Sequence, residues 1–183
     1  MKKIILLFFV FLLTYSISTQ AQTEQKKLTR KEKKELKQKQ KQEEALQMAK
    51  LINSKKFVFQ ADEIIDRSGK SYSVSYSINF IVIDSNTAVF QFGSLMLIGI
   101  NGAGGVTIEG KVTKMEITKD EKNLYHYIVV RVATNRGFYD IQIDVSPSGK
   151  ATAKISNTAS QKIVYRGEIV APKDSSIYKG TAY

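Results

Sequence analysis

SYSVSYSINFIV, residues 71–82, sets the reading of this chain. Tyr72, Val74, Tyr76, Ile78, Phe80 and Val82 alternate with Ser71, Ser73, Ser75, Ser77 and Asn79. That two-residue period marks a half-buried strand, with large residues toward a core and small polar ones outside. The rhythm continues in both directions. Upstream, KFVFQA (56–61) begins a strand at Phe57 and Phe59. Downstream, Asp84-Ser85-Asn86 is a turn and 87–92 returns as a strand. Residues 106–108 and 112–118 read as two shorter strands, followed by a turn at 120–123. Strands at 125–134 and 138–145 are joined by Asn135-Arg136-Gly137, a hairpin signal. Ser146-Pro147-Ser148-Gly149 is a turn, and 151–156 and 162–170 complete the set. No helical period falls among them. The fold class is therefore all-β: an antiparallel β-sandwich or barrel-like sheet with one N-terminal helix.

The helix lies just upstream. Thr29 followed by Glu32 is a capping box, so a helix starts there. From that point to Glu44 the only apolar residue is Leu36, which describes a basic solvated helix or a disordered tether over 22–44. Ala45, Met48, Ala49 and Ile52 then form an i, i+3, i+4, i+7 stripe that can dock on a core. The net charge of +11 is concentrated here. Glu24 to Lys56 holds 12 basic and 5 acidic residues; Phe57 to Tyr183 holds 14 and 12. The β domain is expected over 45–170, with a C-terminal tail at 171–183.

The first residues set the expected compartment. Lys2 and Lys3 precede an apolar run from Ile4 to Leu13, and Thr19-Gln20-Ala21 places small residues at −3 and −1. This is a cleavable signal peptide over 1–21, with cleavage after Ala21. The run is about half the ~20 residues a membrane-spanning helix needs. The mature protein is expected to be periplasmic or secreted. The chain has no cysteine, which excludes disulfides, thiolate metal sites, Cys nucleophiles and a lipid-carrying N-terminus.

Four stretches carry a family resemblance. They are LINSKKFVFQAD (51–62), Gly104-Gly105 before Val106-Thr107-Ile108, VSPSGKATAKIS (145–156) and IVYRGEI (163–169), where a small-residue strand is followed by an aromatic-x-Gly strand. In order and spacing they resemble the Bacteroidota family called domain of unknown function 4251, over roughly Ala45 to Val170. One departure stands out: the family's Pro-aromatic-aromatic-Gly stretch is replaced by FQFGSLMLIGINGAGG (90–105). The resemblance implies export and the fold; it implies no chemistry.

Candidate sites are few. His126 is the only histidine and shares a strand face with Leu124, Ile128, Val130 and Val132, so it reads as a strand-end residue near the core margin. Asp140 and Asp144 flank Gln142 on one strand face. At roughly 13 Å along a strand they are too far apart for a retaining glycosidase pair. Asp62, Glu63 and Asp66 before Gly69 lack the calcium-loop pattern. The glycines at 99–105 lack the Gly-Lys-Ser/Thr ending and the following helix of a phosphate loop. Leu95, Met96, Leu97, Ile98, Ile100 and Asn101 form an apolar stretch that is either a buried strand continuing from Phe92 or a ligand- or partner-binding loop. No cofactor or metal is expected. The lysines carry no interleaved aromatics, which argues against nucleic acid and leaves anionic lipid or polymer as partners of the basic segment.

These readings converge on an exported, non-catalytic binding or structural module of the cell envelope. The alternative is a lipocalin-like carrier of a small apolar ligand, its cavity lined by inward Tyr72, Tyr76, Phe80, Phe90 and Phe92.

Overall fold

The computed structural model describes residues 29–66, 68–93, 105–157 and 162–182. The signal sequence, the stretch holding Leu95, Met96, Leu97, Ile98, Ile100 and Asn101, and the part of the basic segment before Thr29 lie outside the described residues.

Helix α1 spans Arg30–Asn53. Thr29 caps it reciprocally: the Glu32 amide donates to Thr29 Oγ1 (3.2 Å) and the Thr29 amide donates to Glu32 Oε2 (2.7 Å). Side chains up to Glu43 are exposed. Among its later turns Ala45 and Ile52 are buried, while Met48 and Leu51 pack on the core of the β domain.

Nine strands follow among the described residues: β1 (Lys56–Ile65), β2 (Ser71–Ser73), β3 (Phe80–Asp84), β4 (Thr87–Gly93), β5 (Gly105–Asp120), β6 (Tyr125–Thr134), β7 (Gly137–Val145), β8 (Lys150–Asn157) and β9 (Ile163–Val170). All pairings among them are antiparallel. The order runs from β1 through β3 to β9, and β9 pairs back onto β1. Eight strands thus close an up-and-down barrel, with β2 a short addition to the far end of β1. Closure decides between the two architectures left open by the sequence. It also removes the unpaired edges that an open sheet would expose.

The interior is filled. Phe57, Phe59, Ile81, Ile83, Phe90, Ile128, Val130, Ile141, Ile143 and Ala153 are at most 1% exposed. Eight strands leave an interior just wide enough for such side chains. One end gathers the short turns: Ser85 bonds back to Lys55, and Gly149 sits against Met48 of α1, so the last turns of the helix cover that end. At the other end Phe92 stacks on Tyr165 (5.3 Å between centroids, 6° between planes) and Phe90 meets Tyr139 edge-on at 4.9 Å.

Three local readings are corrected. Residues 71–82 are not one strand. β2 stops at Ser73, and 74–79 turn before β3 begins. The Asn79 amide and its Nδ2 both donate to the Ser75 carbonyl (3.0 Å), and the Ser75 and Ser77 hydroxyls bond each other at 2.8 Å. Ser and Asn offer the backbone local partners that compete with a ladder. The break reorients the segment, leaving Tyr72 and Tyr76 each 51% exposed rather than facing the core, while Phe80 and Phe90 are buried. Residues 106–108 and 112–118 are one strand, β5, kinked by a bulge between Val112 and Lys114. Between the two stretches Gly110 is a close approach: a Cβ there would overlap the Ala133 carbonyl and lie 2.7 Å from Val132 Cγ1.

The C-terminal segment crosses the outer face of β4 and β5. Buried Gln91 holds it, its Nε2 donating to the Tyr178 carbonyl (3.0 Å) and its Oε1 accepting from the Gly180 amide (2.8 Å) and Thr107 Oγ1 (2.7 Å). Lys179 pairs with Glu109, and Ala182 bridges to Thr107. Asn79 performs a similar role at the end of β4, donating from Nδ2 to the Gly93 carbonyl and accepting from its amide (both 3.1 Å).

Candidate functional site

Outward positions of five neighbouring strands build a belt of ion pairs around the barrel. Arg131 on β6 grips Asp140 on β7 through two bonds (2.8 and 3.0 Å). Lys154 on β8 reaches Asp144 (2.9 Å), Lys150 reaches Glu168 on β9 (3.0 Å), and Arg166 reaches Glu63 on β1 (3.5 Å). Each pair joins directly opposed or diagonal positions on adjacent strands, which is where charges of opposite sign stabilise a sheet. All are solvent-accessible, so each contributes at most about 1 kcal/mol. The Arg131 guanidinium holds the Asp140 carboxyl below the ordinary carboxylate range. Asp140 and Asp144, considered above as an acid–base pair, are thus both paired to cations.

A cleft of about 510 Å³ opens within this belt. Tyr125 and Asp144 form one side; Asp62 and Arg166 form the other; Lys150 and Thr152 lie between. Two backbone features shape it. β1 bulges between Ala61 and Glu63, which leaves Asp62 as the extra, unpaired residue and turns the Glu63 side chain outward beside it. Opposite the bulge, Gly167 lets β9 approach β1 so closely that a Cβ would overlap the Gln60 carbonyl. This explains the aromatic-x-Gly motif: Tyr165 fills the barrel while Gly167, the next inward position, leaves room for the neighbouring backbone. Among the described residues Asp62 has no cation within ion-pair distance. Lys150 is held above its ordinary value first by Glu168 and then by Asp62.

The other residues singled out from the sequence are dispersed. Asp66 closes the 66–70 turn, accepting from Ser68 Oγ (2.7 Å) and the Lys70 amide (2.9 Å). His126 is buried at the helix-covered end of the barrel, where its Nδ1 has no hydrogen-bond partner among the described residues. Burial above all, with Lys119 adding to it and Glu121 opposing, holds its pKa below the ordinary value. Among the described residues no group of three or more His, Asp or Glu side chains is arranged to hold a metal ion. The apolar stretch around Leu95 to Asn101 lies outside the described residues, but its anchors do not: Gly93 and Gly105 pair across β4 and β5 at the end of the barrel away from the helix. The cleft itself was missed from sequence. Its residues come from five strands, and the only local signal was the polar outward face of each.

An eight-stranded up-and-down barrel, filled inside, covered at one end by a helix and belted with ion pairs outside, defines a small β-barrel module. Residues 38–169 match the family model "Domain of unknown function (DUF4251)", and the chain belongs to that family. A solved crystal structure of a DUF4251 family protein from Bacteroides eggerthii DSM 20697 is similar, with 19% sequence identity and a TM-score of 0.61. That likeness covers 74% of this chain and 90% of the other, and concerns the fold. None of the curated proteins compared matches the chain.

Proposed function

We propose that the mature protein is an exported binding or structural module of the cell envelope that works through its outer surface and carries no catalytic step. The filled barrel supports this most directly. The described interior is occupied by its own side chains, which leaves recognition to the exterior, and the exterior offers a cleft lined by side chains of both charges. The signal-like N-terminus and the basic segment over 22–44 supply the export and envelope parts of the reading. The basic segment is proposed to contact anionic lipid or polymer; nucleic acid is not a partner in this reading.

The lipocalin-like carrier has the closed eight-strand topology in its favour. Its site would lie beside Phe59, Ala61, Phe92 and Tyr165, where the packing leaves no room even for a water molecule. Ligand pockets usually run from about 300 to 1,000 Å³, so a ligand would have to displace Tyr165 from its stack. The exterior reading therefore takes precedence.

The test is co-sedimentation of the chain from Gln22 with isolated envelope, beside a chain from Ala45. Retention by either supports the module, and loss on truncation assigns binding to the basic segment. Failure of both to sediment, or saturable uptake of an apolar fluorescent fatty acid by the barrel, overturns it.

A further inference from the structure

We propose that the belt cleft binds a stretch of uncharged oligosaccharide, with Tyr125 as its stacking platform. This rests on the envelope-module reading and names the ligand class. Three observations support it.

The first is aromatic. Tyr125 and Tyr127 occupy successive outward positions of β6, roughly 7 Å apart along the strand, and are 39% and 43% exposed. A single exposed aromatic is ordinary. Here two stand in line, and one lines a concavity whose other residues, Ala151 and Gly167 apart, carry charged or hydroxyl groups. A tyrosine ring in that setting offers a flat apolar face to the C–H side of a sugar ring, with a hydroxyl at its tip.

The second is the polar lining. A sugar presents hydroxyls that both donate and accept. Asp62 and Asp144 accept; Lys150 and Arg166 donate; Thr152 does either. Asp62, the extra residue of the bulge, is exposed and has no cation within ion-pair distance among the described residues, so its acceptor capacity is open. The Lys150–Glu168 and Arg166–Glu63 pairs are exposed, and exchanging one hydrogen bond of such a pair for a sugar hydroxyl costs little.

The third is charge. The lining carries Asp62, Glu63 and Asp144 against Lys150 and Arg166, with Lys154 paired to Asp144 at the edge. The charges nearly cancel. A polyanion or polycation would meet as much repulsion as attraction, whereas a neutral polyhydroxyl chain meets only partners. At about 510 Å³, open along the sheet, the cleft has the size of ligand sites and suits an internal segment of a chain.

The experiment is affinity electrophoresis and titration calorimetry of the chain from Gln22 with neutral hexasaccharides (cellohexaose, mannohexaose, xylohexaose, chitohexaose), beside polygalacturonate. Binding of at least one neutral hexasaccharide is expected. It should weaken about tenfold in Tyr125→Ala and severalfold in Asp62→Asn. It should not change in Phe138→Ala, which removes an exposed aromatic from the other end of the outer face. Equal melting temperatures keep folding out of the comparison. Failure of every neutral hexasaccharide, binding of polygalacturonate alone, or neutral binding unaffected by Tyr125→Ala overturns the proposal. An envelope-binding chain that ignores all four neutral sugars would remove this ligand class while leaving the envelope reading intact.

Discussion

Replacing Gly167 by alanine tests barrel closure, because closure depends on two backbones meeting with nothing between them. Gly167 pairs with Ala61, and Glu168 pairs with Gln60, at the bulge where β9 meets β1. A Cβ on residue 167 would overlap the Gln60 carbonyl oxygen and lie 2.8 Å from Gln60 C and 2.9 Å from Ala61 Cα. All three are backbone atoms, so no side-chain rotation relieves the overlap. Reaching ordinary contact near 3.5 Å requires the strands to part by roughly 1 Å or more. That separation breaks or stretches the ladder bonds around the bulge, where Gln60 and Ala61 are both buried. Overpacking a tight site costs about 1–3 kcal/mol, and each buried backbone group left unpaired costs about 1–3 kcal/mol more. The expected loss is about 3–4 kcal/mol, a large part of the 5–15 kcal/mol typical of a domain. It should lower the melting temperature by roughly 10 °C for a domain of this size. Gly137→Ala is the comparison. That glycine has φ +102° with nothing within 4 Å of its would-be Cβ, so only backbone strain of about 1 kcal/mol is at stake. Both variants are followed by thermal unfolding in far- and near-ultraviolet circular dichroism. A Gly167→Ala protein melting within a few degrees of wild type, or no lower than Gly137→Ala, would refute the reasoning about how the barrel closes.

Three further outcomes are expected. His126 has a folded-state pKa below its ordinary value near 6.5, so the unfolded chain takes up a proton first as pH falls. Stability is therefore full well above pH 6.5 and declines as pH drops through and below it; the pH dependence of the melting temperature should be flatter in His126→Leu. Ile52→Ala, at a fully buried position on the covering helix, should cost about 3 kcal/mol in a denaturant titration. Gln91→Ala removes the clamp on the C-terminal segment. It should cost about 2 kcal/mol and expose Lys173 and Lys179 to trypsin, read by mass spectrometry of a timed digest.

Much of the fold was legible in the residues. The alternation of 125–134 and 138–145 gives β6 and β7 almost to the residue, because side-chain period is a local property of a strand. Thr29 and Glu32 mark the start of α1 by their own chemistry. The misreadings also have local causes. At 71–82 the alternation was real, but serine and asparagine hydrogen bonds turned the chain, and the two tyrosines reached solvent. At 106–118 two stretches read as separate strands are one, bulged between Val112 and Lys114, with Gly110 placed where the Ala133 backbone comes close.

What the sequence determined alone is most of the strands, the helix with its cap, and the family those motifs mark. Only tertiary structure decided that β9 returns to β1, that Gln91 is buried beneath the C-terminal segment, and that Tyr125, Asp62, Lys150 and Arg166 surround one cleft. The physical reason is separation along the chain. Periodicity and capping are written within a few residues, whereas β1 and β9 lie about a hundred residues apart. Their pairing is selected by the fit of whole faces and by backbone contacts at Gly167 that no short window of sequence contains.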